Sequence, residues 1–167
     1  MSGVANPKLA LRPYLPADAA MLAVILRASV EELTEDDYNE EQQEAWASTV
    51  DDETDFAARL AERLTLVATL GGAPIGFVAL EGNDKIDLLY VHPAATEQGV
   101  AAMLCDAIEK LAAARGADKL KVEASDTAEG FFAHRGYVAQ QRNTVLREGV
   151  WLANTTMHKQ LAAKAAT

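Results

Sequence analysis

The sequence predicts an α/β domain of mixed α+β type, with a central, mostly antiparallel sheet flanked by helices. Three observations predict it. Residues 64–91 read as three strands joined by turns at Gly71-Gly72 and Gly82-Asn83-Asp84, an antiparallel meander. The apolar run 86–91 ends at His92-Pro93 and leads into a helix starting near Gly99. There Val100, Met103, Leu104, Ala107, Ile108 and Leu111 keep helical spacing. A strand at 120–125 follows that helix, and such a crossover sets the strands on either side of it parallel.

The elements follow in chain order. Residues 9–12 form a short first strand, ended by Pro13. Pro16-Ala17-Asp18 starts a helix reaching about Leu33, with Leu22, Ile25, Leu26 and Val30 facing inward. Residues 34–44 are polar and acidic and hold Asp36, Asp37, Tyr38, Glu40, Glu41 and Glu44. Short helices are expected over 40–47 and 52–63, ahead of the strands at 64–70, 74–80 and 86–91. Gly116 stands where a helix C-terminus needs a left-handed residue. Residues 126–135 read as a short helix closed by Gly136, with Ser125 and Asp126 as its N-cap. After Met157 the chain turns rich in Ala and Lys, and a poorly structured tail is expected beyond about 159. The whole of 1–167 reads as one domain.

Composition bounds the function classes. At 167 residues and 50% hydrophobic, the chain can bury a core unaided. A net charge of −10 argues against nucleic acid or an anionic membrane as the main partner. The single Cys105, beside the apolar stripe of its helix, makes no internal disulfide and suits a reducing compartment. The first residues lack the apolar core of a signal peptide, so a cytoplasmic protein is expected. No His, Cys or carboxylate pair has metal-ligand spacing, so no metal is expected.

The turn at Gly99 carries chemistry. The first amides of a helix point free N–H groups at a ligand, and the helix dipole adds positive potential there. Gly99, Ala101 and Ala102 leave little bulk on that turn, so a diphosphate can approach the backbone. The six residues Thr96-Glu97-Gln98-Gly99-Val100-Ala101 resemble the acetyl-CoA-binding motif of the GCN5-related N-acetyltransferases, Gln/Arg-x-x-Gly-x-Gly/Ala, with Thr96 in the first position. Ala128, Phe131, Gly136 and Tyr137 are in register with a second signature of that family, and the two motifs stand in the expected order. Trp46 and the ending through Trp151 and Met157 resemble a bacterial subgroup of small acetyltransferases.

The resemblance implies a sheet splayed open between the strands at 86–91 and 119–125, with acetyl-CoA as donor and no other cofactor. Main-chain groups of Leu89, Tyr90 and Val91 would face pantetheine, while Thr96, Gln98, Gly99, Val100, Ala101 and Ala102 would hold the pyrophosphate. Phe132 stands where the family often places a Tyr, and its ring would pack on the pantetheine end. The implied reaction is direct transfer of acetyl to a primary amine, on a small molecule or a peptide. Members commonly pair, so a homodimer is a candidate assembly.

A primary amine is mostly protonated at neutral pH, with a pKa of about 10 for a lysine-like group, so a general base is required. Glu123 is the best candidate, in an otherwise apolar strand where the split would desolvate it. Equally, Lys119, Lys121 and Glu123 alternate, as on a solvated strand face. His92 and His134 are weaker candidates. Tyr38 and Trp46 can line an acceptor pocket or belong to an amphipathic surface insert, and a negative rim around them would favour cationic amines. Because Phe132 cannot protonate a departing thiolate, a non-catalytic acyl-CoA-binding module is the competing class.

Overall fold

A computed structural model describes residues 8–161. Seven strands form one sheet among the described residues: β1 (Leu9–Pro13), β2 (Leu64–Leu70), β3 (Ala73–Glu81), β4 (Lys85–Val91), β5 (Lys119–Ser125), β6 (Val138–Arg147) and β7 (Val150–Gln160). Their order across the sheet is β1-β2-β3-β4-β5-β7-β6. Every neighbouring pair is antiparallel except β4 and β5, which the crossover makes parallel. The first strand thus joins the meander, making four antiparallel strands ahead of the crossover.

The helices are α1 (Ala19–Leu33), α2 (Glu40–Ala47), α3 (Glu53–Glu62), α4 (Val100–Ala114) and α5 (Glu129–His134). Both sheet faces are covered, so the central strands are apolar on both sides. On one face Val78, Leu80 and Ile86 meet Val100, Leu104 and Ile108 of α4. On the other, Val67, Phe77 and Leu88 meet Leu22, Ile25 and Leu26 of α1 and Phe56 and Leu60 of α3. That explains why 64–91 reads as nearly continuous hydrophobic runs and not as a strict alternation.

Helix α4 ends as its sequence requires. Ala117 N–H reaches Ala112 O and Gly116 N–H reaches Ala113 O, both at 3.0 Å, with Gly116 at φ 95°. These paired bonds satisfy carbonyls that the last turn would leave open.

Three expectations are corrected. The segment after β5 is not helical from 126: a turn comes first, and α5 starts at Glu129. Ser125 Oγ accepts from Ala128 N–H at 3.1 Å, but Asp126 caps nothing and pairs with Arg142, an ion pair that draws it aside. The ending is a long hairpin, with Glu148 (φ 50°) and Gly149 (φ 74°) turning β6 into β7. Strand β7 runs through Gln160 and Leu161 N–H bonds Asp118 O, so chain order passes 159, and the expected tail at 162–167 lies outside the described residues. Among the described residues no helix is long and apolar enough to cross a membrane.

Candidate active site

Strands β4 and β5 pair only at Lys85 with Lys121 and Ile86 with Val122. Beyond that point they part. The register of β3 on β4 slips between Leu88, opposite Ala79, and Ile86, opposite Leu80, so Asp87 is an extra residue where the separation begins. Strand β4 stays bonded to β3 as far as Val91, and β5 to β7 as far as Ser125, so the two edges facing the gap have no strand partner there. A cavity of about 450 Å³ fills the gap, within the range of small-molecule sites. It opens toward both faces of the sheet.

Toward the α4 face the cavity is lined by Leu89, Val91, Thr96, Ala101, Ala128 and Phe132. Gly99, at φ 71°, is the left-handed residue from which α4 departs, after a 3₁₀ segment at Pro93–Gln98. The first helical bond runs from Met103 N–H to Gly99 O at 3.0 Å, so the amides ahead of it have no helical acceptor. A side chain on Gly99 would meet nothing within 4 Å, so the turn is open on its outer side. Gln98 is exposed, Ala102 is half-buried and the Val100 side chain is fully buried in the core, which leaves only its amide toward the turn. Thr96 Oγ1 donates to Pro93 O at 3.1 Å, and His92 Nδ1 accepts from Ala94 N–H at 3.1 Å, each holding the approach to α4. Phe132 is 3% exposed, with its ring edge-on to Phe131 and Tyr137.

Toward the α1–α3 face the lining is Val30, Leu33, Trp46, Arg59, Tyr90 and Arg147, among others. Helix α2 delivers Trp46. Its N-terminus is capped reciprocally by Asn39 and Gln42, at 2.8 and 3.0 Å. Trp46 Nε1–H donates to Tyr90 Oη at 3.1 Å, and burial lifts the Tyr90 phenol above its ordinary pKa. Asp87 accepts two bonds from Arg59, at 2.8 and 2.7 Å, and one from Arg63 at 3.2 Å. Burial alone would raise its pKa; the Arg59 hydrogen bonds and both guanidinium charges outweigh burial and hold it below the usual carboxylate range.

Glu123 stands at the lip of the gap and lines the cavity. The burial expected around it is absent. Its side chain is 41% exposed and faces Lys85 Nζ at 3.5 Å, because Lys119, Lys121 and Glu123 lie on the side of β5 away from α4. Tyr38 does not reach the cavity. It stacks on Trp46, ring centroids 5.6 Å apart, donates to Ala153 O and accepts from Asp126 N–H, both at 2.9 Å, tying the α2 segment to β7 and to the end of β5. Asp36, Asp37, Glu40, Glu41 and Glu44 are exposed and none lines the cavity, although Asp37 accepts at 2.8 Å from the hydroxyl of Thr127, which does. The apolar side of α2 turns inward, so its carboxylates point away.

Sequence reasoning missed Asp87, Arg59 and Arg147. Asp87 left a signal, a lone carboxylate inside the run 86–91. The two arginines left none, since each reaches the site from an element distant in sequence. Among the described residues no group of three His, Cys, Asp or Glu side chains converges as a metal site.

An acetyltransferase (GNAT) domain model matches residues 34–161. An uncharacterized N-acetyltransferase, YafP, from Escherichia coli (strain K12), is 31% identical over 147 residues, covering 88% of this chain and 93% of that protein. The crystal structure of a GCN5-related N-acetyltransferase from Rhodopseudomonas palustris, also described as a class-II aminotransferase, superposes with a TM-score of 0.91. It is 61% identical and covers 96% of this chain and all of that one, 100%. The PaiA N-acetyltransferase of Thermoplasma acidophilum, solved with coenzyme A, shares the fold at a TM-score of 0.77 and 18% identity, over 92% and 99% of the two chains. A parted β4–β5 pair, an open left-handed turn at the head of α4 and these likenesses agree, and the chain belongs to the GCN5-related N-acetyltransferase (GNAT) family of acyltransferases.

Proposed function

We propose that this protein binds acetyl-CoA and transfers its acetyl group directly to a primary amine, on a small molecule or a peptide, in the cytoplasm. The observation that carries the proposal is the cavity running through the parted strands and reaching both sheet faces. The pyrophosphate rests on the amides of Gly99–Ala102, and pantetheine lies along the open edges like an added strand, bonding main-chain groups of Leu89–Val91. Coenzyme A in the PaiA structure and acetyl-CoA in the structure of the Salmonella typhimurium acetyltransferase yncA support this choice of donor. The amine enters from the α1–α3 face, so donor and acceptor meet at the gap without a covalent enzyme intermediate.

In the transfer, the amine nitrogen attacks the thioester carbonyl carbon, the C–S bond breaks and one N–H proton is lost. Glu123 takes that proton, directly or through water. Its exposure and single Lys85 contact leave it within reach of a solvated amine, whereas Asp87 is committed to two arginines. The thiolate leaves beside Phe132 and takes its proton from solvent, as a thiol pKa of about 8.5 allows.

The test follows free thiol release from acetyl-CoA across an amine panel. Glu123→Gln should lower kcat/KM by about 10²–10⁴-fold and remove the rising limb of its pH profile, with acetyl-CoA affinity unchanged. An unchanged rate and pH profile would return Glu123 to a surface charge. Acetyl-CoA binding without thiol release from any amine would return the binding-module reading.

A further inference from the structure

The cavity walls differ in charge from the molecule as a whole. The chain carries −10, yet the charged side chains around the cavity are Arg59, Lys85 and Arg147 against Asp87 and Glu123. Four of these are paired: Arg59 with Asp87 at 2.7 Å, and Lys85 with Glu123 at 3.5 Å. Arg147 is the remainder. Among the described residues no carboxylate lies within ion-pair distance of it. Its contacts are the Trp46 ring, with the guanidinium carbon 5.8 Å from the centroid, and Thr49 Oγ1 at 3.4 Å. Trp46 is itself fixed by its bond to Tyr90 and its stack on Tyr38. A planar fork of donors on the exposed Arg147 thus lies over an indole at the α1–α3 side of the cavity, and among the described residues no carboxylate occupies it.

We infer that the acceptor is an amine that also carries a carboxylate, and that Arg147 is the specificity residue that binds this carboxylate. A guanidinium matches a carboxylate with two parallel hydrogen bonds, and the cation–π contact restrains the fork before the ligand arrives. On the α1–α3 side the cavity offers the apolar surface of Val30, Leu33 and Trp46 beside the hydroxyls of Ser29, Thr34 and Thr49. The chemistry that fits is an amino acid with an apolar or aromatic side chain: carboxylate on Arg147, side chain against that apolar surface, amine toward Glu123 and the thioester. A polycationic amine would instead meet the uncompensated Arg147 charge. The inference rests on the acetyl-transfer reading for its site, but its test reads binding separately from turnover.

The chain has two tryptophans, so Trp151→Phe, an exposed position outside the cavity, leaves Trp46 as the sole indole, excited selectively at about 295 nm. In that background, free Leu, Phe and Trp analogues lacking indole fluorescence are titrated beside their carboxamides and their decarboxylated amines. The carboxylate forms should bind about tenfold to a hundredfold more tightly than the other two. Arg147→Gln should erase that difference while calorimetric acetyl-CoA binding stays unchanged, and Arg147→Lys should restore part of it. In turnover the loss should fall in KM and spare kcat. Equal affinity for the three forms, no binding of any carboxylate form, or a preference that survives Arg147→Gln overturns the inference. Failure of wild type to bind acetyl-CoA or release thiol strikes the acetyl-transfer reading instead, and the ligand comparison still stands or falls alone.

Discussion

Replacing Asp87 by Asn tests how the gap between β4 and β5 is held open. The carboxylate is 8% exposed and takes three hydrogen bonds from Arg59 and Arg63, at 2.8, 2.7 and 3.2 Å. Asparagine keeps the shape, but its amide presents donors to guanidinium donors and leaves two cations without their counter-charge. Truncating one partner of a buried pair costs about 3–5 kcal/mol. Here Arg59 is 33% exposed, so water recovers part of its solvation, and a loss of about 2–3 kcal/mol is expected. For a domain of this size that is a fall in Tm of about 5–10 °C by scanning calorimetry. Its pH dependence is specific. Because the folded-state pKa of Asp87 is depressed, its stabilisation is complete above the unfolded carboxylate pKa of about 3.9 and is lost as pH falls through the lower folded value. The gap in Tm between wild type and Asp87→Asn should therefore be constant from pH 5 to 8 and close below about pH 4. A gap that is absent at neutral pH, or persists undiminished into acid, would refute this account of the bulge. Arg59→Met with Asp87→Leu should recover part of the loss, since it removes the Arg59 charge together with the carboxylate and leaves Arg63 to Glu62 and Glu81, each at 3.8 Å.

Gly99→Glu puts a carboxylate at the α4 turn that we propose holds the pyrophosphate. Its added carbon meets no neighbour, so only the left-handed conformation is penalised, by about 1–2 kcal/mol. Circular dichroism should stay native while calorimetry shows acetyl-CoA binding largely lost, and equal affinity would remove the turn from the site. Cys105 is fully buried, and burial pushes its thiol up to about 12. A thiol reagent at pH 8 should leave the native protein unlabelled and modify one equivalent after denaturation; rapid native labelling would contradict the packing of α4.

The crossover from β4 through α4 to β5 was legible in the sequence, as were the apolar face of α1 and the Gly99 and Gly116 positions. All of these express local rules: helical spacing, and conformations at a turn that glycine adopts without strain. The Gly99 turn and the family motifs also pointed to the α4 side of the cavity, where we propose that the cofactor binds. The β6–β7 hairpin was not legible, because residues 138–147 are mostly exposed at a sheet edge and carry no apolar alternation. Of the α1–α3 side of the cavity, Trp46 was named from the sequence and the contacts that build that side were not. Arg59 meets Asp87 from 28 positions away, Arg147 meets Thr49 from 98 and Tyr38 reaches Ala153 from 115. Such meetings depend on which strands lie side by side and where two of them part, and no local rule encodes that. The sequence by itself determined that a strand would deliver a helix with an open first turn. Only the tertiary structure decided which charges would face the gap, and which one would be left without a partner.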